Sequence, residues 1–341
     1  MTSYLIRRVF QAIPTVLGIT LISFVMIMLA PGDPLTRFVV NPEASKESTE
    51  HLRRLMGLDK PILEQYLYWM VGNDWTTIDV DGDGVGDLQG TRLGLLRGDL
   101  GQSFQHNRPV LDLILERVPA TLQLSVPPLF IGYGLGILLG TLAAAKQGSF
   151  FDQLLRFLSV VGTALPNFWL GLILIIIFSV NLQWLPIGGM RDLAKTDSSF
   201  DLLDTIAHMI LPTIVLSLAI IASVTRYMRA SVLEVIEQDY VRTARSKGLS
   251  QRRVFNIHIM RNALLPIATL FGPGLAALLS GTVIIEQVFS WPGMGRLVIT
   301  AIYQRDFPVV MGTVLVGAIL YIIGLLISDI LYGILDPRIR Y

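Results

Sequence analysis

Cysteine is absent from this chain, which excludes disulfides, thiolate metal sites and a cysteine nucleophile. Charge is scarce: 16% of the 341 residues are charged against 52% hydrophobic, and the mean hydropathy is +0.59. Soluble domains rarely show that balance, whereas polytopic membrane proteins do. A net charge of +1 gives no overall field for a nucleic-acid partner, so any basic patch must be local. The four histidines, His51, His106, His208 and His258, are scattered without metal-ligand spacing. Neither a Gly-x-Ser-x-Gly elbow nor a His-Glu-x-x-His pair occurs, which leaves a hydrolase without a motif. The Gly-x-x-x-x-Gly-Lys-Ser/Thr phosphate loop is missing too, so the chain is expected not to hydrolyse ATP by itself. Ionisable residues are nearly absent from the long apolar runs, with Glu286 and Asp329 only near their ends. Ion-coupled secondary carriers place charges at midplane, so that class is disfavoured and an energy-supplying partner is expected.

A helix needs about 20 apolar residues to cross the hydrocarbon layer while satisfying its own backbone. Six runs qualify, at residues 9–30, 122–145, 157–180, 206–225, 263–285 and 307–328. The first is too long for an ordinary signal peptide and lacks a small-x-small cleavage pattern, so an uncleaved anchor is expected. Basic residues cluster at Arg7 and Arg8, at Lys146 and Arg156, within 226–261, and at Arg338 and Arg340. By the positive-inside rule these segments, both termini included, face the cytoplasm. The opposite face is acidic, with Asp59, Asp74, Asp79, Asp81, Asp83, Asp87, Asp99, Asp192, Asp197, Asp201 and Asp204. The expected organisation is a cytoplasmic end with the first span (1–30), an extracytoplasmic lid segment (31–118), a core of five further spans (119–333) and a cytoplasmic tail (334–341).

Within the lid, apolar periodicity predicts helices at 48–57, from Pro61 onward, and from Pro109 to Arg117. Between them, Asp79-Val-Asp-Gly-Asp-Gly-Val-Gly-Asp87 places side-chain oxygens at alternate positions, with glycine sixth. This matches the first nine positions of an EF-hand calcium loop: Asp79, Asp81, Asp83, the carbonyl of Val85, and Asp87. Gly90 stands at position twelve, where a bidentate glutamate is expected. Two readings therefore stand over 79–90: a weakly held calcium that stiffens the lid, or a solvated acidic turn.

Proline interrupts the apolar runs at Pro14, Pro127, Pro128, Pro166, Pro212, Pro266 and Pro273, with glycines at Gly132, Gly134, Gly136 and Gly140. Kinks at these points suit a pathway that opens to either side, and close helix packing explains them equally well. Asn167, Phe168 and Glu286, polar or aromatic side chains beside such spans, are the candidates to line that pathway. Between two spans, residues 226–262 carry Arg226, Arg229, Arg242, Arg245, Lys247, Arg252, Arg253 and Arg261. Val232, Leu233, Val235, Ile236, Tyr240 and Val241 give this platform an apolar face, and Gly248 is placed to end its helix. Such a platform either docks a partner or rests on anionic lipid.

Several patches together resemble the integral membrane permease subunits of ABC importers for dipeptides, oligopeptides and nickel, specifically the B-type subunit. They are Tyr4-Leu-Ile-Arg-Arg-Val-Phe-Gln-Ala-Ile-Pro14, Leu29-Ala-Pro-Gly-Asp-Pro34, Gly57-Leu-Asp-Lys-Pro61 and Gly98-Asp-Leu-Gly-Gln-Ser103. Tyr240-Val-Arg-Thr-Ala-Arg-Ser-Lys-Gly248, Asn262-Ala-Leu-Leu-Pro266, Glu286-Gln-Val-Phe-Ser-Trp-Pro-Gly-Met-Gly295 and Leu335-Asp-Pro-Arg338 complete the set. The resemblance implies an all-α polytopic membrane protein with six transmembrane helices of the type I ABC importer permease kind and an extracytoplasmic lid. Residues 226–262 then resemble the EAA loop, whose coupling helix sits in a groove of the ATPase subunit. Arg242-Thr243 replaces the usual Glu-Ala, as in the peptide and nickel branch. Tyr240, Ala244, Arg245, Lys247 and Gly248 are the expected coupling contacts. The implied partners are a second homologous permease, two ATP-binding subunits and an extracytoplasmic solute-binding protein, in the lipid bilayer of the cell membrane. ATP and magnesium belong to those partners, and no cofactor is expected in this chain besides calcium in the outer loop. The implied cargo is peptide, with nickel chelates or oligosaccharides as alternatives within the same architecture.

Overall fold

The computed structural model describes residues 2–30, 46–192, 202–279 and 282–335. Proline breaks one of its apolar runs and is carried through unbroken helices in others. The first run is α1 (Thr2–Leu29), which continues through Pro14. The outer segment follows with α2 (Lys46–Leu55) and α3 (Ile62–Val71), then a two-stranded antiparallel hairpin, β1 (Thr77–Ile78) against β2 (Leu88–Gln89). The predicted 109–117 helix is the start of α4 (Val110–Ala145), which runs unbroken through Pro119, Pro127 and Pro128 into the second apolar run. At about 1.5 Å per residue, its 36 residues span roughly 54 Å, far more than a bilayer core.

The third run divides at Pro166, one of the expected interruptions, and the bend is sharp. Helix α5 (Phe150–Ala164) ends at Leu165, and α6 (Asn167–Leu174), which continues as a π-helical stretch at Ile175–Asn181, leaves it at 98°. Pro166 causes the break: it donates no N–H and pushes Leu165 into extended backbone, with φ −78° and ψ 126°. Next come α7 (Leu202–Ile236) and α8 (Asp239–Ser246), followed by α9 (Gln251–Arg253), a π-helical Val254–Met260 and α10 (Arg261–Ala263). Helix α11 (Leu265–Leu279) starts after a 44° bend and carries Pro266 in its first turn, where a missing N–H costs nothing. The chain finishes with α12 (Val283–Val288), α13 (Met294–Gln304) and α14 (Phe307–Leu335). Among the described residues, four helical segments are long and apolar enough to cross a membrane, and the two bent pairs make six if each is one span.

Packing divides the chain into two units: Met1–Phe10 with Pro119–Arg296 and Ile319–Tyr341, and Gln11–Val118 with Leu297–Ala318. In the first unit, glycines of α4 serve close approach rather than kinking. A Cβ at Gly132, Gly136 or Gly140 would lie 2.6 Å from Ile220, Val224 or the Thr225 carbonyl on α7. Around this seam Val215, Met228, Val232, Val241, Val254, Ala263 and Trp291 are fully buried. In the second unit, α3 packs on α1 through Tyr66, whose hydroxyl meets Thr20 Oγ1 at 3.0 Å and whose ring lies edge-on to Phe24.

Candidate functional site

Helix α7 ends at Ile236, and the chain restarts at α8 with Gln238 in extended backbone. The short helix that follows buries one stripe: Val241 and Ala244 face inward against Val254, Ile259 and their neighbours. Tyr240 is 42% exposed, and Arg245 and Lys247 are exposed. Partial burial pushes the Tyr240 phenol above its usual pKa. The helix closes with a Schellman motif. The Leu249 N–H donates to the Ala244 carbonyl at 3.4 Å, and the Gly248 N–H donates to the Arg245 carbonyl at 3.0 Å. Gly248 has φ +74° with open space where a Cβ would stand, so its backbone angle, not crowding, calls for glycine.

Ala244 and Val241 were expected on the docking face, but a small and a β-branched side chain there instead seat α8 on its own chain. Val232 and Val235 are likewise buried. The platform's cations are not all available either. Arg229 is paired with the buried Asp152, and Arg261 Nε donates to the Leu335 carbonyl at 2.8 Å, at the end of α14 where the helix dipole favours a cation. What remains outward on and after α8 is Tyr240, Arg242, Arg245, Lys247, Arg252 and Arg253, and Arg226 on α7 is exposed as well.

Asn167 and Phe168 sit immediately after the 98° break, half-buried and 43% exposed respectively. Glu286 is different: it is wholly buried, and its carboxylate is consumed within its own motif. It accepts the Arg296 N–H at 2.8 Å, in the first turn of α13, and the Thr121 hydroxyl at 3.4 Å. Gly293 makes room for it, since a Cβ there would lie 2.5 Å from the carboxyl carbon. Trp291 locks the same motif by donating its indole N–H to the Ala120 carbonyl at 2.7 Å. The Glu286 side chain is therefore a helix cap instead of a pathway-lining group in this conformation.

In the outer loop, carboxylate oxygens of Asp79, Asp81 and Asp87 lie within 4.8 Å of one another. Asp83 is outside that group and accepts the Val85 N–H at 2.7 Å, while Val85 is exposed. The loop's amides turn toward its carboxylates: Asp79 accepts from Gly82 and Gly84, and Asp87 from Val80. The Gly82 and Gly84 amides hold the Asp79 carboxyl below its ordinary value, with help from the nearby Arg54 charge.

Sequence reasoning missed two polar joints. Asp306 is buried and binds the turn at Ser103, accepting the Ser103 hydroxyl and the Phe104 N–H. The other is Asp152 with Arg229. Its signal was present as Ser149-x-x-Asp152, a capping box in which Asp152 accepts the Gly148 N–H and its own N–H donates to Ser149 Oγ. The Pro31-to-Pro34 part of the amino-terminal signature, Asp197, Asp201 and the tail with Arg338 and Arg340 lie outside the described residues.

Residues 136–341 match the family model described as the binding-protein-dependent transport system inner membrane component, and residues 1–125 match its N-terminal companion. The oligopeptide transport system permease protein AppB of Bacillus subtilis is 42% identical, with all of both chains covered. The di/tripeptide transport system permease protein DppB of Pseudomonas aeruginosa is 41% identical, covering 100% of this chain and 99% of its own. The dipeptide transport system permease protein DppB of Escherichia coli is 38% identical at the same coverage. A solved inward-facing structure of the MetNI methionine ABC transporter aligns at 18% identity with a TM-score of 0.49, over 66% of this chain and 97% of that one.

Proposed function

The chain belongs to the family of binding-protein-dependent transport system inner membrane components, and on that footing we propose that it is the permease subunit of an ATP-driven importer of dipeptides or oligopeptides. Full-length similarity to three peptide permeases carries the cargo assignment. The chain is a transport component of the inner membrane, and ATP hydrolysis is left to a partner. In this reading it pairs with a second homologous permease, two ATP-binding subunits that hold ATP and magnesium, and an extracytoplasmic solute-binding protein. Both termini and α8 face the cytoplasm.

The observation that carries the mechanism is the short, capped α8 with an outward patch beside it. ATPase closure pushes on Tyr240, Arg245 and Lys247. Ala244 seats the helix, and Gly248 fixes its end, so the push reaches α7 and the Val254–Met260 stretch rather than dissipating in a loop. The break before Asn167 and Phe168 gives the pathway a place to change shape, and Glu286 steadies its outer end by capping α13. In the outer loop, Asp79, Asp81 and Asp87 hold calcium weakly, with Asp83 and the Val85 carbonyl joining on binding.

Proteoliposomes containing the reconstituted complex test the reading. Peptide uptake is expected to require both ATP and the binding protein. Uptake driven by an ion gradient in vesicles lacking the ATPase overturns it.

A further inference from the structure

The first unit contains a cavity of about 200 Å³, with α4, α5 and α7 contributing its walls, that the transport proposal leaves unused. Its polar lining is Arg156, Ser159, Thr225, Arg226 and Arg229, and its apolar lining includes Leu155 and Val160. One carboxylate, Asp152, answers two of these three guanidinium groups. Asp152 is 2.5 Å from Arg229 and 3.9 Å from Arg156. Arg226 has no ion pair among the described residues and lies only against the ring of Tyr227, at 5.9 Å. Three arginines less one aspartate leave about two uncompensated positive charges. Thr225 is 3% exposed, and its hydroxyl has no hydrogen-bond partner among the described residues. A buried hydroxyl in that state is a ready donor to an anion.

We propose that this cavity binds the phosphate of an anionic phospholipid headgroup. Guanidinium forks suit phosphate oxygens, and the volume fits a single phosphate rather than a protein segment. Outside the cavity α5 carries Phe157 and Leu158, which are 65% and 50% exposed. Acyl chains lie along these side chains while the headgroup enters beside Arg226. The excess of positive charge also matches the negative surface potential of the cytoplasmic leaflet, on the side to which the transport proposal assigns this end of α7. The inference thus rests on that reading for its leaflet but not for its chemistry.

The full-length chain, purified in detergent, is titrated by native mass spectrometry with phosphatidylglycerol, phosphatidylcholine or inorganic phosphate. Wild type is expected to prefer phosphatidylglycerol. Arg156→Gln with Arg226→Gln lowers that affinity roughly thirtyfold, from about one surface charge's worth of attraction at each position. Arg156→Lys with Arg226→Lys retains most of it, and Thr225→Val weakens it without removing the preference. Lys60→Gln, a control in the outer segment, has no effect. Phosphatidylglycerol binding unchanged by the double glutamine variant overturns the site. Displacement by an equal concentration of inorganic phosphate overturns the lipid assignment in favour of the free ion. Binding that vanishes in the assembled complex overturns it in favour of a protein contact. None of these readouts depends on peptide uptake, so their failure leaves the transport proposal to its own test.

Discussion

Asp152 and Arg229, 77 positions apart, meet in a forked ion pair, with Nε to Oδ1 at 2.5 Å and Nη2 to Oδ2 at 2.8 Å. The aspartate is wholly shielded from solvent. Because it also caps α5, one carboxylate fixes a helix start to the flank of α7.

Removing one partner of such a pair strands the other. Asp152→Asn is expected to cost about 3 kcal/mol, read as a lowered thermal midpoint of the detergent-purified protein. Asp152→Asn with Arg229→Gln should cost less than the sum of the single changes. Strict additivity would show that the two groups do not act as a pair.

Gly248 tests whether closure of α8 matters for coupling. Alanine there costs about 1 kcal/mol because of the positive φ, and asparagine costs less. The expected order for peptide transported per ATP hydrolysed is glycine, asparagine, alanine, valine. Gly248→Asp is expected to insert normally yet hydrolyse ATP without uptake, and full coupling in that variant would remove α8 from the mechanism.

Two glycines should respond in opposite directions. Gly293→Ala forces a methyl into the Glu286 carboxyl group and uncaps α13, a loss of about 3 kcal/mol. Gly134→Ala, with nothing within 4 Å of the new Cβ, should stabilise α4 by up to about 1 kcal/mol. Thermal unfolding of both variants in one detergent decides the matter. Equal midpoints would show that the buried cap contributes nothing.

Acid should act on the outer segment first. The Arg97 guanidinium holds the Asp74 carboxyl below its ordinary value of 3.8, as the loop amides do for Asp79. A carboxyl depressed in the fold contributes stability above its unfolded value, which is lost as pH falls toward the folded one. Fluorescence of the neighbouring Trp75 should therefore stay flat between about pH 5 and 8 and change below about pH 4. In Asp74→Asn the acid change should shrink. The groups are only partly shielded from solvent, so the effect is small.

Calcium offers a fifth test. Millimolar calcium, about the range of extracellular modules, should raise the thermal midpoint of wild type and leave Asp81→Asn with Asp87→Asn unmoved. A wild-type midpoint indifferent to about 10 mM calcium would leave the acidic hairpin a solvated turn.

Composition made the membrane class legible, and the ordered motifs made the family legible, because both are properties of the chain read in one direction. Helix ends were readable where chemistry marks them, as at Pro61 and Gly248. Proline was a poorer guide: Pro127, Pro128 and Pro212 sit inside continuous helices, whereas Pro166 breaks one. What differs is whether neighbouring helices keep the backbone aligned, and that is a tertiary property. Exposure had the same origin. Ala244, Val241 and Glu286 resemble contact residues until their own chain covers them. Asp152 with Arg229 and Ser103 with Asp306 bridge long separations, so only the fold brings each pair together.

Helix α7 holds 35 residues, or about 52 Å at 1.5 Å per residue. A bilayer core takes up roughly 30 Å of that. The remainder makes the helix a rod whose far tip travels farther than its pivot turns: a tilt of about 10° about one end carries the other by roughly 9 Å. On the transport proposal, with α8 following that tip, a modest push on a handle of eight residues would become angular motion inside the membrane, and the leverage would come from length alone.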